Sequence, residues 1–455
     1  MTPQARIARL SAAFLGSNAA RAVIGFGLSF ALARALGAER FGRWIFCTAW
    51  ASTLTVVVDL GFGVLLTRDG ARLVAEPGRL LGGALALRLA LAVPLAAMLF
   101  AGAAHLSADA ETIAGLRAAA LLGTAGAAYG CFGALFRSQP RWLPTVLAVE
   151  TGWLAIQLGA ATLIVRTTAG RAGGAGGWIV SLMTLAAAIQ LAQIAMAAVC
   201  WRRVFGDRGR VRLPAAASLS ALLRRALPFA AAGLVANVQT RVGPLMLGYL
   251  STSTELGLFA AASRFGSVAR LAPQAVFAGA LPVLSHEHGR DRQSAERVFR
   301  TLDGLLLAGS AAIAIAGALV AAPALRLVYG PSFVAAAPAL LWIGVGLIPL
   351  LSNSGRKVFL YASGGEGLVV RWSAVALIVQ ASLGAILIPA LGGAGAAISV
   401  AIGEAVIWWP LRVATPKSAT TINAEPAAPA EILCTWRSDV NNSPAHSCRG
   451  VPNPS

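Results

Sequence analysis

Arg21, Arg88, Arg241 and Arg270 stand roughly 9 to 15 residues inside long apolar stretches, and Arg34, Arg117 and Arg264 stand in others. A guanidinium near the bilayer midplane costs ~2.5 to 3.5 kcal/mol even on the mildest insertion scale, so a chain that keeps several has a use for them. What such groups do well is grip anions, because the planar fork offers parallel hydrogen bonds to a carboxylate or phosphate. Asn18 and Arg21 are three apart and Asn237 and Arg241 four apart, so each pair shares one helical face. Asn18, Arg21, Arg88, Asn237, Arg241, Arg264 and Arg270 are therefore the expected lining of a hydrated cationic cavity that binds an anion. Arg34 lies near the end of its stretch, where its side chain can reach water.

The acids that could neutralise these arginines are Asp59, Glu150, Asp303 and Glu404. Each has two roles open to it: ion-pair partner of an arginine, or a carboxyl that loads and releases H⁺ or Na⁺ during a transport cycle. Glu404, about midway along the last apolar stretch, is the first choice for ion coupling. Other chemistry is poorly provided for. The lysines follow Arg356 and Pro416, so no glycine-lysine phosphate loop exists. His105, His286, His288 and His446 make no HExxH, and the five cysteines show no ligand spacing, so no metal, cofactor or catalytic residue is expected. The net charge of +19 comes without the polar and aromatic readout residues of a nucleic-acid-binding face.

The elements that hold these groups are twelve apolar stretches. They lie near Ser11–Leu36, Gly42–Leu66, Arg79–Ala103, Glu111–Phe136, Leu143–Val165, Gly176–Cys200, Ala226–Leu250, Leu256–Leu284, Val298–Ala322, Phe333–Ser352, Leu368–Pro389 and Gly393–Leu411. About 20 apolar residues at ~1.5 Å each cross ~30 Å of hydrocarbon. A mean hydropathy of +0.72 with 12% charged residues fits twelve such helices and no soluble core. Arginines crowd alternate loops, above all Arg202, Arg203, Arg208, Arg210, Arg212, Arg224 and Arg225. The opposite loops hold only Arg40, Arg43, Arg166, Arg171 and Arg326. The positive-inside rule then puts both termini in the cytoplasm, with a bacterial inner membrane the simplest home. The first stretch ends in Arg34-Ala35-Leu36-Gly37 and is expected to stay as a span.

Two landmarks recur. Leu36-Gly-Ala-Glu-Arg-Phe-Gly42 precedes the second stretch and Leu250-Ser-Thr-Ser-Thr-Glu-Leu-Gly257 the eighth. Gly173-Gly-Ala-Gly-Gly-Trp178 and Gly392-Gly-Ala-Gly-Ala-Ala397 open the sixth and twelfth, giving separations of 131 and 135 residues. This predicts a parallel duplication: an all-α, two-lobed membrane protein with a central cleft. The lobes are residues 1–200 and 226–414, joined by a basic linker at 201–225. Residues 415–455, rich in Pro, Ala, Ser and Asn, read as a disordered tail.

The chain resembles the polysaccharide (oligosaccharide) flippases of the multidrug/oligosaccharidyl-lipid/polysaccharide exporter superfamily. The resemblance rests on Ala33-Arg-Ala-Leu-Gly-Ala-Glu-Arg-Phe-Gly-Arg-Trp44, Asp59-Leu-Gly-Phe-Gly63, Leu245-Met-Leu-Gly-Tyr-Leu250 with Glu255-Leu-Gly-Leu-Phe-Ala-Ala-Ala-Ser-Arg264, Tyr329-Gly-Pro-Ser-Phe-Val-Ala-Ala-Ala-Pro338, and Pro389-Ala-Leu-Gly-Gly-Ala-Gly-Ala-Ala397. It implies a carrier that moves undecaprenyl-pyrophosphate-linked sugar units across the membrane by alternating access. Membrane lipids, a polysaccharide polymerase and a chain-length regulator are the implied partners. A drug or metabolite antiporter of the same superfamily and a membrane polymerase or ligase are the alternatives; outer loops of only about 5 to 10 residues leave the latter little scaffold for catalysis.

Overall fold

The computed structural model describes residues 3–70, 77–139, 142–169, 177–213, 215–269, 292–362 and 366–421, and every regular element among them is helical. The first half contains α1 (Pro3–Asp59), α2 (Phe62–Gly70), α3 (Pro77–Leu106), α4 (Ala110–Arg137), α5 (Leu143–Ala169) and α6 (Trp178–Phe205). A 3₁₀ turn at Gly206–Gly209 leads into the second half. There lie α7 (Ala216–Leu250), α8 (Ser253–Ala269), α9 (Arg292–Val328), a 3₁₀ turn at Pro331–Ala336, α10 (Ala337–Ala362) and α11 (Glu366–Thr421). Helices are what hydrocarbon permits, since each backbone group must find its partner within its own segment.

Eight described helices are long and apolar enough to span a membrane, and two of them, at Gly16–Asp59 and Gly367–Ala414, run 44 and 48 residues. At ~1.5 Å per residue these are about twice the bilayer thickness, so each is two crossings. The turn between the crossings is a single glycine: Gly37 at φ 75° and Gly392 at φ 54°, values that side chains with a Cβ avoid. The loops expected at 37–41 and 390–392 are therefore kinks within continuous helices. With α7 and α8 the crossings come to the expected twelve. The tenth span reaches Ala362 and not Ser352, which draws Arg356 and Lys357 into a helix. The eighth is described to Ala269, and the remainder of its expected range, with Arg270, lies outside the described residues. The last helix continues to Thr421, past the start of the expected tail, and 422–455 lie outside the described residues.

Packing distinguishes the two ends of the bundle. The largest core takes Leu32, Phe41 and Leu116 from the first half and Leu247, Leu325 and Phe333 from the second. All lie toward the short-loop end. At the arginine-rich end there are two described cores. One holds Phe62, Leu81, Phe136 and Trp201 with the first turns of α7, and the other holds Leu360, Val369, Ile407 and Leu411. The halves thus share their largest core at the short-loop end, while toward the basic end it is the first turns of α7 that join the second half to the first among the described residues.

The closure is made by the duplicated landmark itself. Ala38 and Gly42 on α1, and Ser253 and Gly257 on α8, are two small-xxx-small pairs that cross reciprocally. A Cβ on Gly42 would lie 2.7 Å from the Ser253 carbonyl carbon and 2.9 Å from the Gly257 nitrogen; one on Gly257 would lie 2.9 Å from the Ala38 carbonyl carbon and 3.1 Å from the Gly42 nitrogen. Without side chains the backbones touch, which is how membrane helices gain packing when lipid offers no hydrophobic drive. Nearby, Glu255 accepts a hydrogen bond from the Gly393 amide at 2.8 Å, and Glu111 accepts from those of Gly177 and Ile179, each at 3.1 Å. Both carboxylates thereby cap the helix start that the second landmark marks.

Candidate functional site

Two helices bring arginine to the seam between the halves. Arg241 on α7 reaches across to donate a hydrogen bond to the Ser52 hydroxyl of α1, while its buried Nε has no partner. Arg264 on α8 is half-buried and has no ion pair or hydrogen bond among the described residues. It lies within electrostatic reach of the buried, unpartnered Tyr329 hydroxyl. That tyrosine is packed among the rings of Phe26, Phe30, Phe265 and Phe333. Arg21 on α1 has a side chain 46% exposed. Asn18 is half-buried, and Asn237 is exposed with its amide donating to the Gly233 carbonyl at 2.7 Å.

Arg21 is not free. Its Nη1 lies 3.0 Å from Glu150 Oε2 on α5, and the other carboxylate oxygen receives Arg137 Nη1 at 2.6 Å and the Tyr129 hydroxyl at 3.2 Å, both from α4. One acid thus faces two guanidinium groups, leaving a net positive charge there. Arg88 is different. Only 2% exposed, it is ion-paired to Asp59 and donates to the Ala127 carbonyl at 3.2 Å. Asp59 is positioned by the break that follows it, where Leu60 (φ 41°) and Gly61 (φ 76°) turn the chain, and it also accepts from the Gly63 amide at 3.3 Å. Arg34 and Arg117 are exposed and lie over the rings of Phe30 and Phe100, at 5.7 and 5.2 Å.

The second half holds an acid with no cation beside it among the described residues. Glu404 is buried and accepts from Gln239 Nε2 at 3.2 Å and Asn353 Nδ2 at 2.9 Å, while Gln380 donates to the Gln239 carbonyl at 3.1 Å. A cavity of about 190 Å³ opens beside it, lined by Gln239, Thr240, Ser263, Ser267 and Gln380, with room for several waters. Asp303, by contrast, is ion-paired to Arg356 and accepts from the Ser352 hydroxyl at 2.7 Å. The Arg356 and Arg412 guanidiniums lie at 5.5 and 5.0 Å from the Trp408 ring, tying α10 to α11.

The structure corrects several expectations. Arg88 belongs to a buried ion pair and not to a cavity wall. Asp59, Glu150 and Asp303 each have an arginine partner, whereas Glu404 is held by amides among the described residues. Arg137 is the last residue of α4, one past the expected end of that span, and Arg356, expected in a loop, lies on α10, which runs ten residues past its expected end; both pair with acids. Gln239, Asn353 and Gln380 were not singled out from sequence. The signal was there: amides deep in an apolar helix need a partner.

Twelve membrane crossings in two halves, closed over one another at a glycine crossing and lined at the seam with arginine, define a two-lobed polytopic membrane protein of the transporter fold. Residues 9–287 match the family described as polysaccharide biosynthesis protein, and the chain belongs to that family. Among curated proteins none matches this sequence. Of solved structures, a lipid II flippase MurJ in an inward closed conformation is similar at TM-score 0.68 and 11% identity, covering 96% of this chain and 93% of its own. An inward-facing multidrug resistance MATE transporter of the MOP superfamily is similar at TM-score 0.59 and 13% identity, with 89% and 95% covered. An outward-facing MATE structure gives 0.55 at 14% identity, covering 93% and 97%. These likenesses establish the fold.

Proposed function

We propose that the protein is a flippase of a bacterial inner membrane, which moves undecaprenyl-pyrophosphate-linked oligosaccharide repeat units to the outer leaflet by alternating access, without covalent chemistry. The observation that carries this reading is the set of arginines at the seam, of which Arg241 and Arg264 have no acid partner among the described residues. A lipid pyrophosphate is a dense anion that suits them. The basic end faces the cytoplasm in this reading. The lobes are residues 1–200 and 226–414. A route for the polyprenyl tail exists in an apolar groove of about 600 Å³, where Val23 and Phe26 of α1 meet Phe265 of α8, Val320 of α9 and Leu340 of α10. Glu404 is the ion-coupling acid, and a polymerase and a chain-length regulator are the partners that would take the product onward.

The drug-antiporter alternative draws on the cation-free Glu404 cavity. At about 190 Å³ that cavity is smaller than the ~300 to 1,000 Å³ of drug-sized sites and suits an ion with its waters. The test is R241A/R264A in a strain lacking the wild-type copy. Surface polysaccharide falls at least tenfold and sugar-loaded lipid accumulates on the inner leaflet, while the variant inserts normally. Unchanged surface polysaccharide would refute the proposal.

A further inference from the structure

The geometry points to Glu150 as an internal stand-in for the anionic ligand, holding Arg21 and Arg137 in place until an incoming pyrophosphate displaces it; this rests on the flippase reading above. A bridging carboxylate presents two oxygens to two guanidinium groups, which is what one phosphate of a pyrophosphate would do. Here Oε2 takes Arg21 at 3.0 Å and Oε1 takes Arg137 at 2.6 Å, with the Tyr129 hydroxyl adding a third donor at 3.2 Å. The donors come from α1 and α4 and the acid from α5, so the acid can leave without unmaking the donor pair. The two arginine side chains are 46% and 33% exposed whereas that of Glu150 is 8% exposed, so the guanidinium groups are the accessible members of the cluster and the acid is buried behind them. The pairing of α1 with α5 does not depend on the cluster. One turn away the Ser17 and Thr151 hydroxyls lie 3.2 Å apart and the Ser17 hydroxyl reaches the Leu147 carbonyl at 3.4 Å.

The role differs from that of a structural salt bridge in sign. A displaceable carboxylate competes with the ligand, so removing its charge strengthens binding; a clamp that only orients the arginines weakens it when removed. Arg137 becomes a ligand-binding residue, and Tyr129 a positioning residue whose hydroxyl holds the carboxylate in its resting place.

The test uses the full chain in nanodiscs with two probes, inorganic pyrophosphate and undecaprenyl pyrophosphate, and measures Kd and thermal stability together. E150Q keeps the shape of the side chain and tightens both probes by roughly tenfold, whereas R137A weakens both by about the same factor. In an R21A/R137A background E150Q leaves Kd unchanged, because the groups it competed for are gone. If the wild type binds either probe and E150Q binds it equally or more weakly, Glu150 is a structural clamp and the inference is overturned. If neither the wild type nor E150Q binds either probe, the pyrophosphate-lipid reading fails with it. Binding of undecaprenyl pyrophosphate alone, tightened by E150Q, supports the inference and places the tail contact as necessary for affinity.

Discussion

Replacing Gly42 with Ala tests how the closed end of the bundle is held. The added methyl would sit 2.7 Å from the Ser253 carbonyl carbon and 2.9 Å from the Gly257 nitrogen, against the ~3.5 to 4.0 Å of relaxed contact. The atoms it meets are backbone, the Ser253 carbonyl oxygen nearest of all, so no side chain can swing away and α1 and α8 must separate by more than ~1 Å. Overpacking of this kind costs ~1 to 3 kcal/mol. Only the closed end bears that cost, so the ratio of open to closed rises roughly 5- to 150-fold. Spin labels at Arg40 and Thr254, both exposed, in a background without Cys200, Cys434 and Cys448, report the separation by pulsed distance measurement. G42A shifts the distribution to longer distances and lowers the melting temperature. G257A does the same, and the double variant does less than the sum because one displacement relieves both clashes. Gly159 in α5 is the control, since a Cβ there meets nothing within 4 Å and G159A gains up to ~1 kcal/mol of helix propensity. An unchanged distance distribution and melting temperature in G42A would refute the argument that this crossing closes the end.

The buried pair makes a sharper stability prediction than the seam arginines do. R88A leaves Asp59 without its cation and costs about 3 kcal/mol, the low end for a broken buried pair because Asp59 is 38% exposed. An R88M/D59L variant recovers most of the loss, and equal melting temperatures for wild type and R88A in detergent would contradict the pairing. Asp109, at the loop before α4, carries a pH dependence. Its partial burial pulls the carboxyl upward, but hydrogen bonds from Thr112 and the Arg43 guanidinium prevail and hold it below the usual carboxylate range. A depressed value means that its stabilisation is present above the ordinary carboxylate pKa and is lost as pH falls through the lowered one. The melting temperature of D109A therefore lies below that of wild type at pH 7, and the two converge as the pH falls below the ordinary carboxylate range; parallel curves would exclude the effect.

Much of the fold was legible because a bilayer allows few solutions. Apolar stretches long enough to cross it give the spans. The site was legible in part, since charge inside those stretches is costly and draws attention to Arg21, Arg241, Arg264 and Glu404. Partnership was not. Arg88 and Arg241 look alike in sequence, each a lone arginine deep in an apolar helix, yet one is neutralised by Asp59 and the other meets a serine from the opposite half. Helical spacing fixes which residues share a face, but the pairing of faces depends on how helices distant in sequence are rotated against each other. Arg356 was misplaced for a related reason: the ion pair with Asp303 that lets α10 carry charge further toward the membrane surface is made with another helix.

The sequence by itself determined the helical class, the twelve crossings and the duplicated landmarks, because hydropathy, helix rise and glycine spacing are local properties. Only the tertiary structure decided that the two copies of the first landmark meet. Gly42 and Gly257 stand at matching places in the two copies of that landmark. They touch because a two-fold arrangement of the halves brings their small residues to the one place where backbones can approach without side chains.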